Sequence, residues 1–242
     1  MGNCERCKDI CDENELNTKS DQINNTLDIS NKESLIKCTY EIKDFNETQI
    51  INYRGKVDIN EDIKAKIKIL NNNQRENLIF KKIFNQLGLN IIYFVIEEKL
   101  NDMSFMFNNC KSLKKIEFIS PKTEEVTNMS SMFQNCEELE YIDLSNFNTN
   151  NVTTMESMFN NCLRLKQIKG ISKINTNLVT NMEGMFQNCE ELEYLDLSNF
   201  NTANVNNMAC FFNECHKLKK IKGIDNFDTS KVTDYGRYIS KL

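Results

Sequence analysis

The chain has 242 residues, 40% of them hydrophobic, with 7 Gly, 1 Pro, 10 Cys and no Trp, and a formal net charge of −5. That apolar content can fill a sizeable core in one or two domains, so the chain is not disordered as a whole. The acidic balance, with no clustered basic face, argues against the footprint of a nucleic-acid binder.

Residues 1–31 are polar and acidic and read as a disordered tail that opens on "MGNCERC". They lack the apolar core of a signal peptide, which argues against secretion by the usual route. Gly2 becomes an N-myristoylation acceptor once Met1 is removed, and Cys4, Cys7 and Cys11 are nearby acceptors for palmitoylation. One acyl chain holds a bilayer only marginally. The cysteines would supply the second signal, because Arg6 and Lys8 are offset by Glu5, Asp9, Asp12 and Glu13. Arg6 stands where the usual motif has Ser or Thr. The competing readings are an unmodified tail and a metal site on the same three cysteines, which has no fourth ligand nearby.

Residues 32–101 change style. The runs "LIKCTYEIK", "TQIINYR", "IKAKIKIL", "ENLIFKKIF" and "LNIIYFVIEE" are short and rich in β-branched residues, separated by Asn, Asp and Gly turns. They predict a small all-β module of four or five strands that covers the open apolar end of the C-terminal region. "IKAKIKIL" alternates cleanly and is expected to be a half-exposed strand. "LNIIYFVI", the longest apolar run, is far too short for a membrane span and reads as a buried strand.

Residues 102–242 repeat. Cys110, Cys136, Cys162, Cys189 and Cys215 recur at steps of 26, 26, 27 and 26, within units that start at Met103, Met129, Met155, Met182 and Met208. A period this short predicts coils that bury their apolar faces by stacking on one another. Met129, Met132, Phe133 and Cys136 stand at i, i+3, i+4 and i+7, the spacing of one helix face. Asn128, Thr154, Asn181, Asn207 and Asp234 precede these faces as N-cap residues. Leu139, Ile142 and Leu144 then follow with strand spacing. The predicted fold is therefore an α/β solenoid, with one short helix and one strand per coil and a continuous parallel sheet, preceded by the all-β module. The Met, Phe and Cys positions form internal ladders, each large apolar member worth about 1.5–3 kcal/mol of burial. At the end, Tyr235 and Tyr238 take methionine places and suit a C-terminal cap.

A larger period overlies the first. Residues 129–181 and 182–234 align without a gap and are identical at 33 of 53 positions, so a two-coil block is duplicated. The coils alternate in charge through "KSLK", "EELE", "LRLK", "EELE" and "HKLK", a pattern that sets opposite signs side by side at a few tenths of a kcal/mol per exposed pair. The outward strand positions form the candidate partner-binding face: Lys115 and Glu117, Tyr141 and Asp143, Gln167 and Lys169, Tyr194 and Asp196, Lys220 and Lys222. Two tyrosines among mixed charges on a rigid sheet suit a protein contact, against the alternative of an ordinary exposed face.

The units, above all "DLSNFNTNNVTTMESMFNNC" from Asp143 to Cys162, resemble the 26-residue BspA-type leucine-rich repeats of bacterial surface proteins and of many unicellular eukaryotes. The resemblance covers about Asp102 to Tyr238 and implies a non-catalytic scaffold with a role in adhesion or protein binding, and a β-rich lead-in of the unicellular-eukaryote kind. "KGI" at Lys169 and again at Lys222 replaces "DLS", which departs from the pattern in the local loop.

No catalytic, cofactor or metal residues stand out. The single histidine, His216, occupies a solvent-facing position, and no phosphate loop, nucleophile elbow or calcium loop is present. The expectation is a non-enzymatic protein-binding scaffold without cofactor or small-molecule substrate, tethered to the cytosolic face of a membrane by N-terminal acylation. The alternatives are a cell-surface adhesin and a soluble cytosolic interaction module without lipid.

Overall fold

The structure is a computed structural model, and the residues described are 33–52 and 64–234. Gly2, Cys4, Cys7 and Cys11, the rest of the tail, and the capping Tyr235 and Tyr238 lie outside them.

The β-branched runs of the lead-in form β1 (Ser34–Ile42), β2 (Thr48–Gln49), β3 (Ile67–Asn71), β4 (Gln74–Asn77), β5 (Lys81–Lys82) and β6 (Gly88–Ile96). β1 lies between β6 and β7 (Leu113–Phe118), antiparallel to both. The sheet runs β4-β3-β6-β1-β7-β8-β9, where β8 is Tyr141–Asp143 and β9 is Gln167–Lys169. It is thus mixed, antiparallel through the lead-in and parallel from β7 to β9. Alternation along β1 sends Ile36, Cys38, Tyr40 and Ile42 into the main core, while Leu35 on the opposite face packs with Leu70, Tyr93 and Val95. Asn72 and Asn73 both have positive φ, 48° and 63°, as a two-residue β3–β4 hairpin turn requires. The expected strand over "IKAKIKIL" begins only at Ile67, because residues 64–66 are helical.

The expected α/β solenoid does not form. Residues 64–66 are the only α-helical ones among those described, and no coil carries a helix. The parallel sheet is also interrupted: β10 (Tyr194–Asp196) and β11 (Lys220–Lys222) make a separate two-stranded sheet.

The reason the helices are missing is left-handed backbone at two places in every coil. Phe105, Ser131, Ser157, Gly184 and Cys210 have φ of 54–59°, and Asn109, Asn135, Asn161, Asn188 and Glu214 have φ of 58–61°. A left-handed residue every fourth position cannot sit inside a right-handed helix. The segment becomes a chain of tight turns instead, in which Met132, Gln134 and Cys136 donate to the carbonyls three residues back. The intervening N–H groups of Met129, Ser131, Phe133 and Asn135 donate to Thr154, Glu156, Met158 and Asn160 in the next coil at 2.8–3.1 Å. Every second amide therefore ties one coil to the next, which a helix would forbid. The expected N-cap residues Asn128, Thr154, Asn181 and Asn207 still accept from the N–H two residues on, as Asn128 does from Ser130 at 2.9 Å, and all five join neighbouring coils through parallel bridges.

Side chains spaced at i, i+3, i+4 and i+7 point inward from these turns as they would from a helix. Phe107, Phe133, Phe159, Phe186 and Phe212 stack with ring centroids 5.6–5.8 Å apart. The Cys136, Cys162 and Cys189 thiols are buried and donate to the carbonyls of Phe107, Phe133 and Phe159 at 3.1–3.3 Å. Burial pushes these thiols well above their ordinary range, and Cys215 at the far end up to about 12. None of the cysteines among the described residues is in a disulfide.

Candidate functional site

Strand alternation and register bring the expected face residues into two rows. Lys115, Tyr141 and Gln167 stand side by side on β7, β8 and β9, with Glu117, Asp143 and Lys169 beside them. Tyr194 pairs with Lys220 and Asp196 with Lys222 on the second sheet. All ten side chains are exposed or half-buried, while Ile116, Ile142, Ile168 and Leu195 between them point into the core. Tyr194 is 47% exposed, the only aromatic outside the lead-in to show that much surface among the described residues.

The duplicated blocks carry the same aspartate–lysine pair twice, and each tyrosine has a lysine beside its ring, from the coil before it in the case of Tyr141 and from the coil after it in the case of Tyr194. Lys169 Nζ lies 2.8 Å from Asp143, and Lys222 Nζ lies 3.0 Å from Asp196. Lys115 Nζ sits 5.3 Å from the Tyr141 ring centre and Lys220 Nζ 5.9 Å from that of Tyr194, both within cation–π range. The Ser198 hydroxyl, Lys222 and the Ser198 N–H together hold the Asp196 carboxyl down at about 2. Partial burial works to raise Asp143, yet Lys169 and Ser145 outweigh it and leave this carboxyl below its ordinary range. Burial and the neighbouring Asp143 raise the Tyr141 hydroxyl. The face therefore stays a fixed mosaic of charges at neutral pH.

The alternating charges on the adjoining turns are paired as expected within each block and before the first. Lys111 meets Glu137 at 2.7 Å, Arg164 meets Glu138 at 2.8 Å and Lys166 meets Glu140 at 2.9 Å. Lys217 meets Glu191 at 2.7 Å and Lys219 meets Glu193 at 3.3 Å. Between the blocks no such pair forms among the described residues, and the two sheets part there. A cleft of ≈ 230 Å³ opens between β9 and β10, lined among others by Gln167, Ile168, Ile171, Glu193, Tyr194 and Asp196.

Sequence reasoning missed this cleft, although "KGI" pointed to it. Gly170 has φ of 80°, and a Cβ there would lie 2.4 Å from the Ser145 nitrogen. The coil of β9 thus packs its backbone directly onto the coil of β8, where Leu144 N–H donates to Lys169 C=O at 2.8 Å. The inserted residue after it is accommodated in a 3-10 turn, Ile171–Lys173, which lies at the cleft. Gly223 repeats the arrangement against Ser198. Each glycine-bearing coil leans back on its predecessor, and that of Gly170 leaves its forward side open.

His216 is exposed and 3.2 Å from Glu214. Among the described residues no group of three or more His, Cys, Asp or Glu is placed to hold a metal ion, and no helix is long and apolar enough to cross a membrane.

The chain belongs to the family described as Mycoplasma protein of unknown function, DUF285, which matches residues 77–169 and 164–241. At the level of a repeat family this agrees with the likeness to BspA-type leucine-rich repeats, and it does not reach the unicellular-eukaryote type. No curated protein matches the chain. A solved structure similar to it is a leucine rich cell surface protein from Faecalibacterium prausnitzii A2-165, 22% identical, with a TM-score of 0.37 over 51% of this chain and 29% of that one. The chain thus spans less than a third of that protein's length.

Proposed function

We propose that this chain is a non-enzymatic protein-binding repeat protein that meets its partner through the outward face of β7–β11. The observation that carries this reading is the duplicated set of outward tyrosine, aspartate and lysine, one on each of the two sheets: Tyr141, Asp143 and Lys169, then Tyr194, Asp196 and Lys222. Aromatic anchors amid paired charges are the composition of interface hot spots, and side chains already held in place lose little entropy on binding. Lys115, Glu117, Gln167 and Lys220 complete the face. The test is capture of partners from a cell extract by the wild-type chain and by Tyr141→Ala plus Tyr194→Ala. Loss of specific partners in the double variant supports the face, and equal capture removes it.

The place of action has two readings. Likeness of the repeats to BspA-type surface proteins supports display at a cell surface, and we put this reading first. The "MGNC" start supports the second, a tether on the cytosolic face through Gly2, Cys4, Cys7 and Cys11. Protease treatment of intact cells separates them, since a displayed chain is shaved and a cytosolic one survives. Labelling with a myristate analogue, set against Gly2→Ala, tests the tether itself, and a soluble module without lipid is the outcome in which both tests are negative.

A further inference from the structure

The cleft between β9 and β10 is bounded by two strand edges that face each other. Gln167 N–H donates to Glu140 C=O and Lys169 C=O accepts from Leu144 N–H, so Gln167 and Lys169 direct their main-chain groups toward β8. Alternation then turns the N–H and C=O of Ile168 toward β10. In the same way, Glu193 C=O accepts from Lys219 and Leu197 N–H donates to Lys222. Tyr194 and Asp196 must therefore turn their N–H and C=O groups toward β9. No hydrogen bond joins β9 to β10 themselves, and most Cα pairs between the two strands are separated by more than 8 Å. The opening is bounded by Glu191 N–H donating to Leu163 C=O at 3.2 Å ahead of the strands and by Asn199 Nδ2 donating to Ser172 C=O at 2.6 Å beyond them. Paired strands lie about 4.8 Å apart, so β9 and β10 stand beyond pairing distance of one another. On the opposite side of the same junction the coils are closed, with Met155, Ser157, Phe159 and Asn161 donating to Asn181, Glu183, Met185 and Gln187 at 2.7–3.0 Å.

We propose that this cleft is a strand-acceptor slot, which takes an extended segment of a partner polypeptide between β9 and β10. This deepens the protein-binding reading of the sheet and rests on it. The chemistry of the occupant comes from the duplication. β10, Tyr-Leu-Asp within "EELEYLDLS", is a near copy of β8, Tyr-Ile-Asp within "EELEYIDLS". The edge of β8 that corresponds to the open edge of β10 is filled by β7, in register Lys115↔Tyr141, Ile116↔Ile142 and Glu117↔Asp143. There Lys115 covers the Tyr141 ring, and Lys114 Nζ lies 3.7 Å from Glu140. The slot therefore fits a strand with an apolar residue turned toward Ile168 and Ile171, flanked by basic residues that meet Tyr194 and Glu193. Main-chain bonds to Ile168, Tyr194 and Asp196 supply the affinity, as in other cases of strand addition.

The probe is the capped hexapeptide with the β7 sequence, acetyl-Leu-Lys-Lys-Ile-Glu-Phe-amide, titrated into the full-length chain by fluorescence anisotropy and by amide exchange in NMR spectra. Three results are expected. Binding saturates; the amides of Ile168, Tyr194 and Asp196 exchange fast in the free chain and slow by about tenfold or more with peptide; and N-methylation of the peptide's isoleucine, which removes one main-chain donor, weakens binding by about tenfold. Ile168→Pro removes a donor on the open edge without touching the bonds to β8 and abolishes binding. If that variant fails to fold, the exchange data on the wild-type chain decide the matter. The proposal is overturned if the three amides are already protected without peptide, if no saturation is reached at millimolar peptide, or if the N-methylated peptide binds equally well. A failed titration leaves the partner capture through Tyr141 and Tyr194 standing, so the two readings fail separately.

Discussion

The junction between the coils of β8 and β9 and the junction between those of β9 and β10 are built from nearly the same residues, yet one is closed on both sides and the other on one. On the turn side both carry stacked phenylalanines, a thiol bonded to the preceding coil and amides that cross at every second residue. On the strand side β8 and β9 pair in full register, while β9 and β10 do not pair at all. The turn side tolerates the change of step from 26 to 27 residues because its contacts precede the insertion in each coil. The strand side meets the inserted residue directly after β9, where Gly170 commits the backbone to its predecessor. Coil stacking is therefore carried by the turns, and sheet continuity is an addition that one residue can cancel.

The largest effect should come from cutting the turn side. Phe159 stacks on Phe133 and Phe186 and is fully buried, so Phe159→Ala costs about 3–5 kcal/mol in chemical denaturation. Its local signature sharpens the contrast. Amide exchange should accelerate more in residues 182–234 than in residues 103–154, because the downstream coils have no strand pairing across the open junction to fall back on. Uniform acceleration would mean that the open junction is no weaker than the closed one.

Next comes the close approach that shuts the β8–β9 side. Gly170→Ala adds a left-handed penalty to a Cβ at 2.4 Å from backbone and should cost about 2–4 kcal/mol. Gly184→Ala is the control: its φ is also positive, at 57°, but its nearest contacts are side-chain atoms at 3.1–3.4 Å, and Ser131 and Ser157 already occupy the equivalent conformation. It should cost about 1 kcal/mol. Equal costs would show that the clash, and with it the argument for the leaning coil, is wrong.

Much of this was readable from residue order alone, in particular the period, the inward ladders of Met, Phe and Cys, the paired charges within blocks and the two outward rows. The helix was misread because spacing at i, i+3, i+4 and i+7 records which side chains share a face, and a run of tight turns satisfies it as well as a helix does. The discriminating signal was the asparagine before four of the five cysteines, at 109, 135, 161 and 188, since asparagine is the non-glycine residue best suited to left-handed backbone. Gly184 at a position held elsewhere by Phe, Ser and Cys pointed the same way. The open junction was harder to read. The 27-residue step and "KGI" marked a local departure, but whether the neighbouring strand pairs depends on a contact to Ser145 one coil away, which no local pattern encodes.

The asparagines offer a test of moderate size. Asn161 Nδ2 donates to Asn135 at 2.7 Å and its own carbonyl oxygen accepts from Asn188, so the ladder spans the closed and the open junction alike. Asn161→Ala should cost about 1–2 kcal/mol, combining backbone strain with lost hydrogen bonds. Asn161→Gly removes the strain and keeps the loss, so the difference between the two variants isolates the conformational part. If they are equally destabilised, left-handed backbone is not what this residue is chosen for.

The smallest effect is electrostatic and tests whether the two blocks are equivalent on the strand side. The Ser198 hydroxyl, Lys222 and the Ser198 N–H lower the Asp196 carboxyl from 3.8 to about 2. A carboxyl with a lower pKa in the folded than in the unfolded chain adds stability that is complete above the unfolded value and disappears as the pH falls through the folded one. Its contribution is therefore present at neutral pH and lost between about pH 4 and pH 2. Asp143, its counterpart in the first block, is lowered in the same direction by Lys169 and Ser145 against the opposing effect of its partial burial. Asp196→Asn and Asp143→Asn should each flatten the acid limb of the stability curve, with the Asp196 change extending to lower pH and both remaining small beside the core variants, since the pairs are exposed. A steeper acid limb in either variant would mean that the carboxylate is not held by its lysine in solution, and that the charge mosaic of the face rearranges before any partner arrives.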